Sequence, residues 1–414
     1  MALNRPANKL RNPLRDLPPE VAVLTAVAFS VALGFGILAP AIPLFAKQFH
    51  VSNFQASAVV SVFALMRFAS SPVSGRLVDR VGERLVMATG IGIVGVSSLL
   101  AGFSGSFTQL LVLRGVGGVG SSMFTISATA LLLRVAAPDQ RGRAAGAFQA
   151  GFLFGGITGP AFGSALIGWS LRAPFFVYAA TLLLAGTVAS VYLARAALQE
   201  REAIAGTDHP PTPFKQAFRS SAYRSALLNN FASGWALFGV RSSLIPLFVV
   251  EGLGLSPRWT GWGLFVSSLT QALVLVPVGR RVDSVGRRPF LRGGAAGVLL
   301  AGVAIALTSS SWMFLLAMAM YGAGAAMLGT SSSAVVGDVI GGRGGTAVAA
   351  FQMTSDAGAF LGPLATGRIS DVYTYRAAFA VTAGVSVLAF ASTLFMPETR
   401  KVAVAVAEQL EPNT

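Results

Sequence analysis

Long apolar runs separated by short polar turns dominate the chain. Read from Met1, twelve runs of roughly 19–26 residues follow one another, each long enough to cross a hydrocarbon layer as a helix. They begin near Val21, Gln55, Leu85, Thr108, Ala144, Ala173, Ala222, Arg258, Gly293, Ser311, Thr346 and Arg376. The first run, Val21 to Ala46, exceeds the apolar core of a secretory leader and is expected to be the first span. Residues 1–20 form a polar, proline-containing segment before it, and residues 399–414 a polar tail.

The polar turns repeat. Gly75-Arg76-Leu77-Val78-Asp79-Arg80-Val81-Gly82-Glu83-Arg84 follows the second run and precedes the third. It returns 204 residues later as Gly279-Arg280-Arg281-Val282-Asp283-Ser284-Val285-Gly286-Arg287-Arg288. Gly82 and Gly286 fit a tight turn that needs positive φ, and Gly75 and Gly279 a close approach between helix ends. Asp79 and Asp283 can accept N–H groups at a facing helix N-terminus, where the dipole favours an anion. Two further matches share an offset of 203: Ile-Pro-Leu-Phe at 42–45 and 245–248, and Phe148-Gln149 with Gly159-Pro160 against Phe351-Gln352 with Gly362-Pro363. The prolines kink spans 1 and 7. The expected architecture is all-α, with two pseudo-symmetric six-helix bundles at 21–194 and 222–398 and a linker at 195–221. Parallel halves of this kind rock about a central site in transporters.

The first charged turn, Gly-x-Leu-x-Asp-Arg-x-Gly-x-Arg, resembles the loop between helices 2 and 3 of the major facilitator superfamily. Span 5 carries Gly151, Gly155, Gly159 and Gly163 at four-residue spacing, a smooth face for a neighbouring helix. With Pro160, the run from Gly155 to Gly163 is similar to the helix-5 motif of exporters in that superfamily, where it accompanies antiport. Span 4 holds Arg114, which resembles the family's helix-4 arginine, although Gly117 stands where the family has Gln. That likeness implies a part for Arg114 in proton coupling. The residue-level alternative is an arginine snorkelling or holding backbone carbonyls.

Composition agrees with a membrane chain. Charged residues make up 11% and hydrophobic ones 54%, against about 25% charged in a soluble domain. The net charge of +15 sorts by side instead of pointing to nucleic acid. Of the 31 Lys and Arg, 23 fall in the segments on the side of the charged turns and both termini, 5 on the opposite side and 3 within spans. That bias places both termini in the cytoplasm of a plasma (inner) membrane. Cysteine is absent, and the two histidines, His50 and His209, lie in loops. Neither a metal centre nor a nucleophile with its base is indicated, and no cofactor is expected.

Charges inside spans are costly and therefore informative. Asp356 is the one carboxylate expected at mid-membrane, with Arg67 in span 2 and Arg241 in span 7 at similar depth. Burial and a neighbouring arginine pull a carboxylate's proton affinity in opposite directions, so Asp356 can load and release a proton. A static buried pair is the alternative. Arg67 and Arg241 can neutralise Asp356 or meet an anionic substrate or lipid headgroup. Gln149 and Gln352 are candidates to bond across the halves. Phe35, Phe152, Trp235 and Phe238 are candidates for an apolar cavity.

Together these features resemble the drug–proton antiporters. The resemblance implies a monomeric secondary transporter that exports an amphipathic or hydrophobic small molecule in exchange for protons. Its cytoplasmic gate would be Gly75, Asp79, Arg80, Gly82, Arg84, Gly279, Asp283, Gly286, Arg287 and Arg288. Its hinge would lie at Gly155, Gly159, Pro160, Gly163, Gly358, Gly362 and Pro363. The surplus of arginine over carboxylate favours a second reading, transport of an organic anion or acidic metabolite, with uptake as an open direction. A third reading is a receptor or lipid-scrambling scaffold that moves no solute.

Overall fold

A computed structural model of the chain describes residues 17–136, 141–196, 214–340 and 345–399. The apolar runs become helices, even where Pro72, Pro160, Pro277 and Pro363 lie inside them, because a spanning backbone must satisfy its own hydrogen bonds. In chain order the long helices are α1 (Pro19–Lys47), α2 (Asn53–Val81), α3 (Glu83–Gly102), α4 (Phe107–Val135), α5 (Arg141–Ile167) and α6 (Ala173–Ala196). The second half supplies α7 (Ser221–Gly252), α8 (Arg258–Val285), α9 (Arg288–Leu307), α10 (Ser311–Ile340), α11 (Gly345–Val372) and α12 (Tyr375–Leu394). Ten of these are long and apolar enough to cross a membrane; α6 is apolar over Ala173–Thr187 only. α11 is not among the ten, since it carries Gln352, Asp356, Arg368 and Asp371 and lies along α2 between the halves. The segments 1–16, 197–213 and 400–414 lie outside the described residues, which removes most of the expected lead-in, linker and tail. The described end of the linker is a short helix, Phe214–Arg219.

Local signals set the helix ends. Ser52 opens α2 with a capping box to Gln55, and Ser106 and Thr374 cap α4 and α12. Gly82 (φ +89°) and Gly286 (φ +134°) end α2 and α8 in the left-handed region, as the charged turns require. The proline expectation is met only in part. α1 breaks at Ala39–Pro40, and Pro43 sits harmlessly in the first turn of the following segment. α7 is interrupted by two π-helical stretches, Gly234–Val240 and Phe248–Gly252, on either side of the α-helical Arg241–Leu247 that holds Pro246.

Each half packs around its own core. Leu24, Phe45, Phe175 and Tyr178 are fully buried in the first, and Tyr223, Phe314, Tyr321 and Phe379 in the second. The outside is apolar: Leu184, Leu273, Leu316 and Leu388 are each more than 60% exposed, the reverse of a water-soluble surface. The glycine stripe of α5 is occupied within its own half. A Cβ on Gly159 would stand 2.5 Å from the Leu33 carbonyl oxygen, one on Gly163 2.6 Å from that of Ile37, and Gly155 abuts Phe29 and Leu33. In the second half Gly358 and Gly362 meet Phe231 and Trp235, and Pro363 lies against Gly239. These residues therefore weld α1 to α5 and α7 to α11. They do not form a sliding surface between the halves.

Candidate functional site

The halves meet chiefly where α2 runs along α11 and α5 along α8. Arg67 and Asp356 face each other across that boundary, with 3.4 Å between Nη2 and Oδ1. Arg67 stands at the midpoint of α2 and Asp356 near that of α11, so the pair lies at mid-depth. The side chains are 32% and 18% exposed, so the pair is neither sealed in a core nor free in solvent. Phe68 and Phe360, with ring centroids 6.1 Å apart, cross the same boundary beside it. Together these contacts place a charged pair flanked by aromatic rings at the boundary between the halves.

The two other intramembrane arginines go elsewhere. Arg241 is not a partner of Asp356; its Nη1 donates to Ser267 Oγ (3.3 Å), between α7 and α8. Arg114 is 2% exposed, with its guanidinium carbon 4.4 Å from the centroid of Phe63. It has no ion-pair partner among the described residues. Cation–π attraction supplies part of its stabilisation, and Phe35 packs 6.5 Å from the same Phe63 ring.

The remaining cavity candidates divide. Phe152 packs on Phe124 and Phe148 at the partly buried margin of the first core. Trp235 is 8% exposed, and its indole N–H donates to Thr382 Oγ1 (3.2 Å) on α12, so it is a core residue and lines no open cavity. Phe238 is 56% exposed. Gln149 and Gln352 are exposed and make no hydrogen bond across the halves. Each lies about two turns in from the end where the charged turns lie, called here the motif end.

The gate residues divide between open positions and a turn fastened within its own half. Asp79 and Arg80 are exposed, and a Cβ on Gly75 or Gly279 would meet nothing within 4 Å, so neither glycine serves a close approach in this conformation. The Asp283 side chain lies outside the described residues, and Arg84 is half-buried. The second turn is fastened within its own half. Glu398 accepts the backbone N–H groups of Arg287 (2.8 Å) and Arg288 (3.0 Å) at the start of α9. Arg287 Nε donates to Asp338 Oδ2 (2.9 Å), and Arg288 Nη2 to the Leu394 carbonyl (3.0 Å). Gly286 is needed there, because a Cβ would lie 2.6 Å from Glu398 Oε2.

Sequence reading missed the contacts that join the halves at the opposite, far end. Lys47 Nζ lies 3.1 Å from Glu251 Oε1, and the Tyr375 hydroxyl donates to Glu251. Asn53 N–H and Phe54 N–H donate to the carboxylate of Asp371 at 2.7 and 2.8 Å. None of these residues lies in a repeated motif. The one available signal was a carboxylate near the end of a span otherwise poor in charge. Among the described residues no group of three or more His, Asp or Glu is arranged to hold a metal.

Two halves joined at one end, built of long helices with apolar outer faces and a charged pair between them at mid-depth, define a multi-pass membrane protein of two helical bundles. The sequence matches the Major Facilitator Superfamily over residues 24–260 and again over 226–412, and the chain belongs to that superfamily. It is 26% identical over 275 residues to Multidrug resistance protein 2 of Bacillus subtilis, covering 65% of this chain and 68% of that one. The fold is similar to a bacterial homologue of the human lysosomal transporter Spinster in an inward-facing, unoccupied conformation. There the TM-score is 0.72 at 16% identity, over 93% of this chain and 98% of that one. It is also similar to the human organic anion transporter MFSD10, with a TM-score of 0.65 at 19% identity over 91% and 100% of the two chains. The protein is a secondary transporter and not an enzyme.

Proposed function

We propose that the protein exports an amphipathic or hydrophobic small molecule in exchange for protons. The observation that carries this reading is the Arg67–Asp356 pair, the mid-depth ion pair that spans the two halves. The excess of Lys and Arg at the motif end sets that end toward the cytoplasm. The far-end contacts then close the outer side, and the conformation is open inward. In that state Asp356 is ionised, paired with Arg67, and the cavity takes substrate. Once the site opens outward, a proton neutralises Asp356, the pair dissolves and substrate leaves. The neutral carboxyl then returns inward and gives up its proton. Support for a drug-like substrate comes from the aromatic flank of the pair and from the name of the Bacillus subtilis relative.

Arg114 and Arg241 favour a second reading, since the described spans hold three arginines at depth against one carboxylate. An organic anion would take Arg67 or Arg241 as its ligand, and the likeness to MFSD10 agrees with that. Proteoliposomes carrying an imposed pH gradient distinguish the two. Gradient-dependent movement of a cationic dye supports export by proton exchange. Movement of an organic anion with an inert dye overturns it in favour of the second reading.

A further inference from the structure

A residue of the other half completes the N-terminus of α2. The first backbone N–H groups of a helix have no intrahelical partner and must find one outside. In α2 the first three are accounted for. Gln55 N–H donates to the Ser52 hydroxyl (3.3 Å), while Asn53 and Phe54 N–H donate to the two oxygens of Asp371 (2.7 and 2.8 Å) on α11. An anion is favoured at this position by the helix dipole, and both bonds are charge-assisted. Asn53 Nδ2 also donates to the Tyr375 hydroxyl (3.1 Å), which adds the Glu251–Lys47 pair to the same boundary. The backbones approach closely here: a Cβ on Gly367, one turn before Asp371, would stand 2.9 Å from the Asn53 carbonyl oxygen.

α2 and α11 run antiparallel, with Asn53 opposite Asp371, Ser57 opposite Gly367 and Arg67 opposite Asp356. Continued along the pair, that register brings Asp79 opposite Gly345, the first residue of α11. Asp79 also lies as many residues beyond Asn53, the first residue of its helix, as Asp371 lies beyond Gly345. Each helix thus carries a carboxylate near its C-terminal end, in register with the N-terminus of the other. In this structure Asp371 is engaged, whereas Asp79 is exposed with no partner among the described residues.

We infer that Asp371 is the far-end counterpart of Asp79, and that the two carboxylates cap α2 and α11 in alternation. Closing one end forms one cap and requires release of the other. Asp371 is in this sense a positioning residue for the transport cycle, setting how much of the protein rests with the far end closed. The inference rests on the alternating-access part of the function proposed above and is independent of the substrate and of the coupling ion.

The chain has no cysteine, so spin labels can be placed in pairs without other substitutions. Exposed sites are available at the far end (Gln48 with Tyr373) and at the motif end (Val81 with Val348). Double electron–electron resonance in lipid nanodiscs reads both distances. Asp371→Asn is expected to lengthen the far-end distance and shorten the motif-end one, shifting the ratio of states roughly tenfold. Asp79→Asn is expected to shift it the opposite way. Tyr375→Phe, which leaves the Asp371 cap in place, is expected to move the ratio in the direction of Asp371→Asn but less. An unmoved distribution in Asp371→Asn and Tyr375→Phe, or a shift of both aspartate variants in the same direction, overturns the inference. A parent protein that never shows a second population under any condition overturns alternating access itself, which is a separable result.

Discussion

Glu83 and Arg287 hold the same position in the two halves and carry opposite charges. Each still finds its partner at the equivalent place on the fourth helix of its half: Arg134 lies 2.8 Å from Glu83, and Asp338 lies 2.9 Å from Arg287. The repeat has therefore kept an ion pair while exchanging its signs. What the position requires is a bond between the charged turn and the fourth helix, and either polarity meets that requirement.

That relationship predicts a rescue. Glu83→Arg alone places like charges together and is expected to destabilise the first half by about 1 kcal/mol, since Arg134 is 42% exposed and solvent weakens the pair. Glu83→Arg with Arg134→Asp copies the second half's arrangement and is expected to recover most of the loss. Thermal unfolding in detergent, arranged as a double-mutant cycle, measures both.

The glycines separate into two kinds with opposite expected effects. Gly75 lies inside α2 with open space around it, so Gly75→Ala is expected to leave the melting temperature unchanged or raise it, by up to about 1 kcal/mol of helix preference. Gly159→Ala forces a methyl against the Leu33 carbonyl and the Gly36 backbone, and is expected to cost about 1–3 kcal/mol. The same unfolding assay ranks them.

Trp235 offers a test of the cavity's outline. Trp235→Phe removes the bond to Thr382 and is expected to lower stability by about 1 kcal/mol. It is expected to leave substrate concentration dependence unaltered, because the ring lies in the core of the second half. A changed KM for transport with unchanged stability would place Trp235 at the substrate after all.

The Arg67 variants probe the boundary pair from its other side. Arg67→Gln leaves Asp356 without its partner and is expected to slow gradient-driven transport roughly tenfold or more, the equivalent of about 1.4 kcal/mol. Arg67→Lys keeps the charge and is expected to retain a larger share. Initial rates in proteoliposomes give the comparison, and equal rates for both variants would remove Arg67 from the coupling step.

The spans and their pairing into halves were legible because long apolar runs and three repeated motifs leave few alternatives. α11 follows the same apolar pattern in sequence, yet its Gln352, Asp356, Arg368 and Asp371 keep it out of the helices apolar enough to cross a membrane, as suits a position between the halves. The partner of Asp356 was left open between Arg67 and Arg241 for a physical reason. The π-helical stretch Gly234–Val240 lies immediately before Arg241 and changes the helical phase, so a 3.6-residue period cannot say which way that side chain faces. The Asp371 cap was hidden for another reason: its acceptors and donors stand 318 residues apart, and backbone N–H groups leave no mark in a sequence. The glycine stripe of α5 was visible, but its partner was not; only packing shows that α1 of the same half fills it.

Two assays on one variant test whether Asp356 couples protons to export. Asp356→Asn should lose substrate accumulation driven by a pH gradient while still exchanging substrate down its own concentration gradient. That outcome marks a carrier whose motion survives but whose link to protons is gone. Gradient-driven accumulation at the parent rate in Asp356→Asn would show that the one described mid-depth carboxylate plays no part in coupling.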